Sequence, residues 1–232
     1  KGYTADFADR LFNQIKGFGG YGFPESHSAS FALLAYVSAW LKCHHPAAFY
    51  VGLLNSQPMG FYSPSQLIQD ARRHHIMVLP VDVNHSNWDH QILSSADQQQ
   101  PPIRLGLRLI KGLSEAAGQR IHTAQRQRAF VNVADLRQRA CLDRGDMEAL
   151  AAADALSGIS GNRYQSHWQT MALEAHRPLL PHDGAAQRSQ DDAAVTAAPT
   201  LPEDVIADYQ STGLTLRSVS YTHLTLPTTY HV

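Results

Sequence analysis

The sequence has little charge and few cysteines. Asp, Glu, Lys and Arg make up 17% of its 232 residues, below the roughly 25% of an ordinary soluble chain. Lys and Arg number 19 against 20 Asp and Glu, a net charge of −1 with His neutral. This excludes a globally basic nucleic-acid coat protein, so any DNA contact has to be local. The two cysteines, Cys43 and Cys141, lie far apart and give no disulfide framework, which favours a reduced, cytoplasmic location.

Long apolar runs are also lacking. The longest, residues 29–41, is interrupted by Ser30 and Ser38 and is shorter than the roughly 20 residues that a bilayer requires. No signal peptide is visible, and we expect no membrane partner. The sequence does have 44% hydrophobic and 9% aromatic residues, which excludes wholesale disorder and suits one large domain or two small ones.

The apolar pattern is mainly helical. A stripe with helical spacing over residues 3–17 runs into a glycine-rich stretch at 17–24, which we expect to be a loop. Short strands are predicted at 77–81 and 103–110. Ser26 or Ser28 is predicted to cap the helix that runs to about His44, and Ser63, Asn132 and Asp143 are predicted to cap later helices.

The glycine-rich stretch at 17–24 is not a phosphate-binding P-loop, because it follows a helix and lacks the Gly-Lys-Ser/Thr ending. It can be an ordinary helix end and turn, or a backbone that approaches a nucleotide closely. Its aromatic residues, Phe18, Tyr21 and Phe23, can stack on a base or belong to the core.

Thirteen histidines raise the hypothesis of a metal-dependent hydrolase. The pairs His44–His45 and His74–His75 are adjacent in sequence, whereas ligands on one helix face lie three or four residues apart. No Gly-x-Ser-x-Gly motif is present. We therefore predict no metal within this chain and keep the hydrolase as the weakest alternative.

Residues 110–114, IKGLS, resemble the hairpin of a helix-hairpin-helix motif, hydrophobic-x-Gly-hydrophobic-Gly. Gly112 would let the backbone approach a DNA phosphate, and the amides of the next helix would donate to it. Ser114 stands where the second glycine usually does. Arg108 and Lys111 would add local positive charge without base preference. An ordinary turn is the alternative.

A second, degenerate hairpin is expected at 142–148, where Arg144 follows the cap Asp143. Both hairpins would bind phosphates of duplex DNA. The residues predicted to bind DNA are Arg108, Lys111, Gly112, Ser114 and Arg144.

Longer motifs resemble a known family. The stretch at 17–44, GFGGYGFPESHSASFALLAYVSAWLKCH, is similar to the end of the fingers region in the C-family bacterial DNA polymerases, the group of the DNA polymerase III alpha subunit. LLNSQPMGFYSP at 53–64 and VDVNHSNWD at 81–89 resemble the error-prone branch, which copies damaged templates. RLGLRLIKGL at 104–113 falls where the family has its tandem helix-hairpin-helix domain.

The resemblance covers about residues 1–217, and VIADYQSTGLTL at 205–216 is similar to the approach to the family's OB domain. His45 departs from the pattern, because the family usually has an aromatic residue there. VSYTHLTLPT at 219–228 matches the translation of a transposase-type sequencing adapter. We therefore expect the chain from about residue 218 to be an assembly artefact.

The resemblance implies a mainly α fold, in which fingers helices precede a small tandem helix-hairpin-helix domain with a short β element, followed by a disordered linker and tail. The expected divisions are the end of the fingers (1–57), a connecting helix and strand segment (58–100), the hairpin domain (101–175), a linker towards a missing OB domain (176–217) and the artefact (218–232).

The function implied is that of a DNA-directed DNA polymerase used in translesion synthesis. Its partners would be primer-template DNA, deoxynucleoside triphosphates and accessory translesion or clamp proteins. The family's catalytic palm aspartates, which hold Mg²⁺, would lie upstream of Lys1, so we expect no catalytic residue or cofactor in this chain and no activity from the fragment alone.

The same resemblance implies that part of the chain faces the incoming nucleotide and the template. The residues expected there are Gly19, Gly20, Tyr21, Ser26, His27 and Lys42. The alternative is a non-enzymatic helix-hairpin-helix DNA-binding module, which would explain the hairpins but not the fingers-like stretch.

Overall fold

The structure is a computed structural model that describes residues 4–20, 25–93, 100–173 and 197–218. Its fold is mainly helical with a small three-stranded sheet, as the sequence predicted. The helices are α1 (Ala5–Gly20), α2 (Glu25–His44), α3 (Pro46–Asn55), α4 (Pro64–Arg73), α5 (Glu115–Gln125), α6 (Val133–Arg139), α7 (Arg144–Ala152), α8 (Ser157–Ser160), α9 (Arg163–Ala172) and α10 (Leu201–Ser211). The strands are β1 (Val78–Leu79), β2 (Gln91–Ile92) and β3 (Ile103–Arg104), and a short 3-10 helix spans Leu107–Leu109.

Strand β3 lies at the centre of the sheet, parallel to β1 and antiparallel to β2. The strand predicted at 103–110 is wrong beyond Arg104. The Leu107 amide donates to the Asn87 carbonyl at 2.8 Å, and the chain turns into the 3-10 helix at that point. Strand β2 was not predicted, because two residues are too few to show an alternating pattern.

The caps predicted at Ser63, Asn132 and Asp143 are confirmed, whereas the cap predicted at Ser26 or Ser28 is wrong, because α2 already begins at Glu25. The side chains of Ser63, Asn132 and Asp143 each accept a hydrogen bond from an amide in the first turn of α4, α6 and α7, at 3.3, 2.8 and 2.7 Å. Each bond satisfies an amide that the helix itself leaves without an acceptor. These local contacts fix where three of the helices begin.

The glycine-rich stretch is helical for longer than predicted. Helix α1 continues through Gly17 to Gly20, so the expected loop at 17–24 is wrong over its first four residues. Glycine costs about 1 kcal/mol in a helix relative to alanine, but it keeps the amide and carbonyl that form the i to i+4 bonds. Residues 21–24 lie outside the described part.

Helix α2 is apolar on all its faces and is exposed along almost its whole length. Leu33, Leu34 and Tyr36 are 64%, 60% and 68% exposed. Helix α2 therefore leaves a long apolar surface uncovered. A helix with this pattern is ordinarily covered on all sides.

The core lies between the small sheet, the helices α3 and α4, and the helices α5, α6 and α7. Helix α7 packs against α9, and α3 packs against α4 and β2. The largest fully buried side chains of the core include Tyr50, Leu54, Ile103, Leu107, Leu136 and Leu150.

Helix α10 lies within residues 176–217, where the sequence led us to expect a linker. It packs against α7. The guanidinium of Arg163, itself buried, donates to Asp204 at 2.7 Å and also pairs with Asp208. Leu214, just after the helix, is 4% exposed. The rest of the predicted linker up to residue 196, and the predicted artefact from residue 219, lie outside the described residues.

Trp88 packs against two glycines that leave space for it. A Cβ atom at Gly118 in α5 would collide with the Trp88 indole ring, and a Cβ atom at Gly106 would collide with the backbone of Trp88 and Asp89. At Gly52, in the exposed middle of α3, an added Cβ atom would meet no other atom within 4 Å. Replacing Gly118 and Gly52 by alanine therefore gives opposite effects.

We expect Gly118→Ala to lower the free energy of unfolding by about 2 kcal/mol, because overpacking exceeds the gain in helix propensity. Gly52→Ala is the matched control and should raise it by about 0.5–1 kcal/mol. Urea unfolding followed by circular dichroism measures both. Equal stability of the two variants would contradict the packing described for Trp88.

Candidate nucleic-acid interface

The first hairpin, residues 110–114, forms a tight turn between the 3-10 helix and α5. Gly112 has φ +86°, a conformation that glycine adopts without strain. The Ser114 hydroxyl accepts a hydrogen bond from the third amide of α5 at 3.1 Å and begins that helix. In the described part of the chain, the amides of Glu115 and Ala116 have no acceptor. Such amides at a helix N-terminus are ready donors to a phosphate.

The second hairpin joins α6 to α7 through residues 140–143. Cys141 has φ +49° and occupies the left-handed position that a glycine holds in the first hairpin. Asp143 caps α7, and Arg144 is the first residue of that helix. The Arg144 guanidinium is exposed and donates to Glu148, one turn further along, at 2.7 Å.

Arg120 connects the two hairpins. Its Nε donates to the Ala140 carbonyl at 3.0 Å, and its Nη2 lies 3.2 Å from the Asp146 carboxylate in α7. Sequence analysis missed Arg120, because it lies in the middle of α5, outside the hairpin motif.

Lys111 is directed towards α10. Its ammonium donates to the Tyr209 and Gln210 carbonyls, both at 3.0 Å, and its backbone amide donates to the Ser211 carbonyl at 2.9 Å. These carbonyls form the C-terminal end of α10, where the partial charge of the helix is negative.

Arg108 connects the end of α3 to the hairpin domain through hydrogen bonds. Its guanidinium donates to the Asn55 carbonyl at 2.9 Å, to the Gln57 carbonyl at 3.3 Å and to the Asp89 carboxylate at 2.7 Å. All three basic residues predicted to bind DNA thus have intramolecular partners, and among them Arg144 has only an exposed carboxylate one turn away.

The hairpin domain is nevertheless locally basic. Residues 101–175 contain ten Lys and Arg against seven Asp and Glu, a net charge of +3, whereas the whole chain has −1. Arg126 and Arg128, near the end of α5, are both exposed. A local excess of this kind attracts phosphates without base preference.

The residues expected to face a nucleotide lie on α1 and α2. Gly19 and Gly20 form the last turn of α1, and Ser26 and His27 lie in the first turn of α2, where His27 is exposed. Tyr21 lies outside the described residues.

Lys42, the last of that set, lies near the end of α2 and pairs with Asp70 of α4 at 2.6 Å. The Tyr50 hydroxyl donates to the same carboxylate at 2.7 Å. The hydrogen bonds from Lys42 and Tyr50 hold the pKa of Asp70 below its usual value. Burial, followed by the bond to Asp70, raises the pKa of Tyr50. The cluster joins α2, α3 and α4.

Among the described residues, no three or more His, Cys, Asp or Glu side chains come together as metal ligands. None of the helices described is long and apolar enough to cross a membrane.

Comparison with known proteins supports the hairpin assignment. Residues 75–166 match the family model of the helix-hairpin-helix motif. The chain is 57% identical over 219 residues to an error-prone DNA polymerase of Saccharophagus degradans, 57% identical over 218 residues to that of Teredinibacter turnerae, and 52% identical over 234 residues to that of Methylococcus capsulatus. These alignments cover 93%, 93% and 94% of the chain.

The chain is homologous to one segment of the error-prone DNA polymerases. It spans about a fifth of the length of these relatives, 21%, 21% and 22%. The resemblance stated from the sequence is therefore confirmed, and the homology to error-prone polymerases extends over 93% of the chain.

His90 lies at the contact between α3 and the hairpin domain. Its Nδ1 accepts a hydrogen bond from the Gly106 amide at 3.0 Å. The Asn55 side chain bonds both the His90 amide, at 2.9 Å, and the His90 carbonyl, at 3.0 Å. Burial, reinforced by the charge of Arg108, lowers the pKa of His90 from 6.5 to about 4.

Because folded His90 binds a proton more weakly than unfolded His90, it should make the free energy of unfolding fall as the pH drops from about 6.5 to about 4. The expected loss is roughly 3 kcal/mol. His90→Asn retains an acceptor without titration, so urea unfolding at pH 7.0 and 4.5 should show a smaller pH dependence for this variant. Identical pH dependence in the two proteins would refute the assignment.

Cys141 provides a prediction about the second hairpin. A non-glycine residue at φ +49° is strained, and glycine relieves that strain. We expect Cys141→Gly to raise the free energy of unfolding by about 0.5–1 kcal/mol. Cys43→Gly, in the regular helix α2, is the control and should lower it. A destabilised Cys141→Gly protein would count against the strain.

Proposed function

We propose that this chain binds the phosphate backbone of duplex DNA through its two hairpins, as part of an error-prone DNA polymerase. The observation that carries the proposal is the pair of turns at Gly112 and Cys141, each followed by a capped helix, in the stretch that matches the helix-hairpin-helix model. Homology to error-prone polymerases supports the larger role.

In the first hairpin, the glycine turn would let DNA approach the start of α5, and the Glu115 and Ala116 amides would donate to a phosphate. In the second, the exposed Arg144 at the start of α7 would supply the charge. Contacts of this kind fix the position of the duplex without reading its sequence.

We further propose that the first turn of α2 faces the nucleotide and template. His27 is exposed there, and Ser26 precedes it on the same helix. Gly19, Gly20 and Tyr21 belong to the same proposed surface. Lys42 is the weaker member, because a phosphate would compete with the Asp70 carboxylate for its ammonium.

The parent protein would transfer deoxynucleotides to a primer end opposite damaged templates, with accessory translesion or clamp proteins as partners. Polymerases use Mg²⁺ held by carboxylates for this step. The described residues do not fit such a site, because no cluster of three potential ligands forms among them. We therefore derive no catalytic step from this chain and propose that its part is binding.

A non-enzymatic DNA-binding module is the less favoured function. It requires only the hairpins, whereas the similarity to polymerases extends over 93% of the chain.

The test is binding of the full chain to a short fluorescent duplex, measured by anisotropy at several salt concentrations. Arg144→Gln should weaken binding and reduce the slope of log affinity against log salt by about 0.9, the value for one lost phosphate contact. Arg10→Gln is the matched control, since Arg10 is also an exposed arginine paired with an acid one turn away. Absence of duplex binding, or equal slopes in both variants, would contradict the proposal.

A further inference from the structure

We propose that Lys111 is a positioning residue: it holds the first hairpin against the C-terminal end of α10, and phosphate binding by that hairpin depends on this contact although Lys111 does not touch DNA. This inference rests on the proposed function of the hairpin. It assigns Lys111 a role different from the direct phosphate contact expected from its place in the motif.

Both kinds of donor on Lys111 are used by α10. The ammonium bonds two carbonyls at 3.0 Å, and the backbone amide bonds a third at 2.9 Å. A cation at the C-terminal end of a helix is stabilised by the helix dipole. The Tyr209 carbonyl also accepts a hydrogen bond from the Gly213 amide at 3.2 Å, and the Lys111 ammonium adds a charged donor to it and to the Gln210 carbonyl.

Helix α10 is anchored independently of Lys111. Arg163 pairs with Asp204 and Asp208 in a buried position, and Leu214 is inserted into the core. The Arg72 guanidinium also donates to the Leu216 carbonyl at 3.0 Å. With these anchors α10 stays docked when DNA arrives, and a phosphate would have to draw the ammonium away from two carbonyls.

The contact acts directly on the turn. Lys111 immediately precedes Gly112, whose φ of +86° sets the direction of the chain into α5. The bond from the Lys111 amide to Ser211 fixes the peptide before that glycine. Helix α10 thereby orients the amides of Glu115 and Ala116 from behind. Since linkage is reciprocal, DNA bound at the hairpin should also stabilise the docking of α10.

The salt dependence of binding separates a positioning role from a direct contact. We expect Lys111→Ala to weaken duplex binding by about fivefold, in the range of ordinary coupling between sites, and to leave the slope against salt unchanged. Lys111→Gln should restore part of the affinity, because its amide group can donate to the same carbonyls without a charge. A slope reduced by about 0.9, as for Arg144→Gln, would overturn the proposal.

A change outside the hairpin sequence provides the second test. Leu214→Ala loosens the segment after α10 without altering residues 110–116, and circular dichroism would confirm that the variant folds. It should weaken duplex binding with the slope again unchanged. Unaltered or tighter binding would overturn the inference while leaving the proposed function standing.

Hydrogen exchange keeps the two proposals distinguishable. If the unaltered chain does not bind duplex DNA, the proposed function is contradicted. Exchange of the α10 amides in Lys111→Ala then still tests the contact between Lys111 and α10 in the absence of DNA. If the chain binds, α10 amides should exchange more slowly with DNA present and faster in Lys111→Ala. Unchanged exchange in both comparisons would refute the coupling.

Discussion

The Trp88 indole lies in a space that exists only because residue 118 has no side chain. The rest of the hairpin domain depends on that fit. It places the segment around Trp88 between β3 and α5, and the neighbouring backbone lies over Gly106. From that position Asn84 bonds both the amide and the carbonyl of Phe130, at 2.6 and 3.0 Å, which ties the segment to the chain before α6. On the other side His90 meets Asn55 of α3.

Most of the basic side chains near the hairpins form hydrogen bonds or ion pairs within the protein. Arg108 bonds the end of α3, Arg120 connects the two hairpins, and Arg163 pairs with α10. A buried or half-buried guanidinium is stabilised by several fixed acceptors, because an unpaired charge there is costly. The surface potential that DNA would meet is therefore set by fewer basic residues than the hairpin domain contains.

Local signals were readable from the sequence, whereas distant contacts were not. Ser63, Asn132 and Asp143 were found as caps because capping chemistry is contained within four residues. The hairpin at Gly112 was found for the same reason. Lys111 and Gln210 are 99 residues apart in sequence, and nothing near Lys111 distinguishes a lysine that caps a distant helix from one that binds phosphate. From the sequence alone, Gly118 is only a residue of low helix propensity. Its role as the space for Trp88 becomes visible only in the folded structure.

Helix α2 also combines a local feature that the sequence predicts with a distant contact that it does not. The sequence pattern found α2, but the pairing of Lys42 with Asp70 depends on how α4 returns beside it. The predicted nucleotide-facing role of Lys42 came from its place in the motif, and the motif does not include Asp70.

The positions of the two cysteines have an experimental use. Cys43 lies near the end of α2 and Cys141 at the second hairpin, and both thiols are exposed and free. They are the only two in the sequence. A pair of spectroscopic labels can therefore be attached without adding any residue, one on each part of the molecule. The separation between the labels would follow the angle between the long helix and the hairpin domain when a duplex is added.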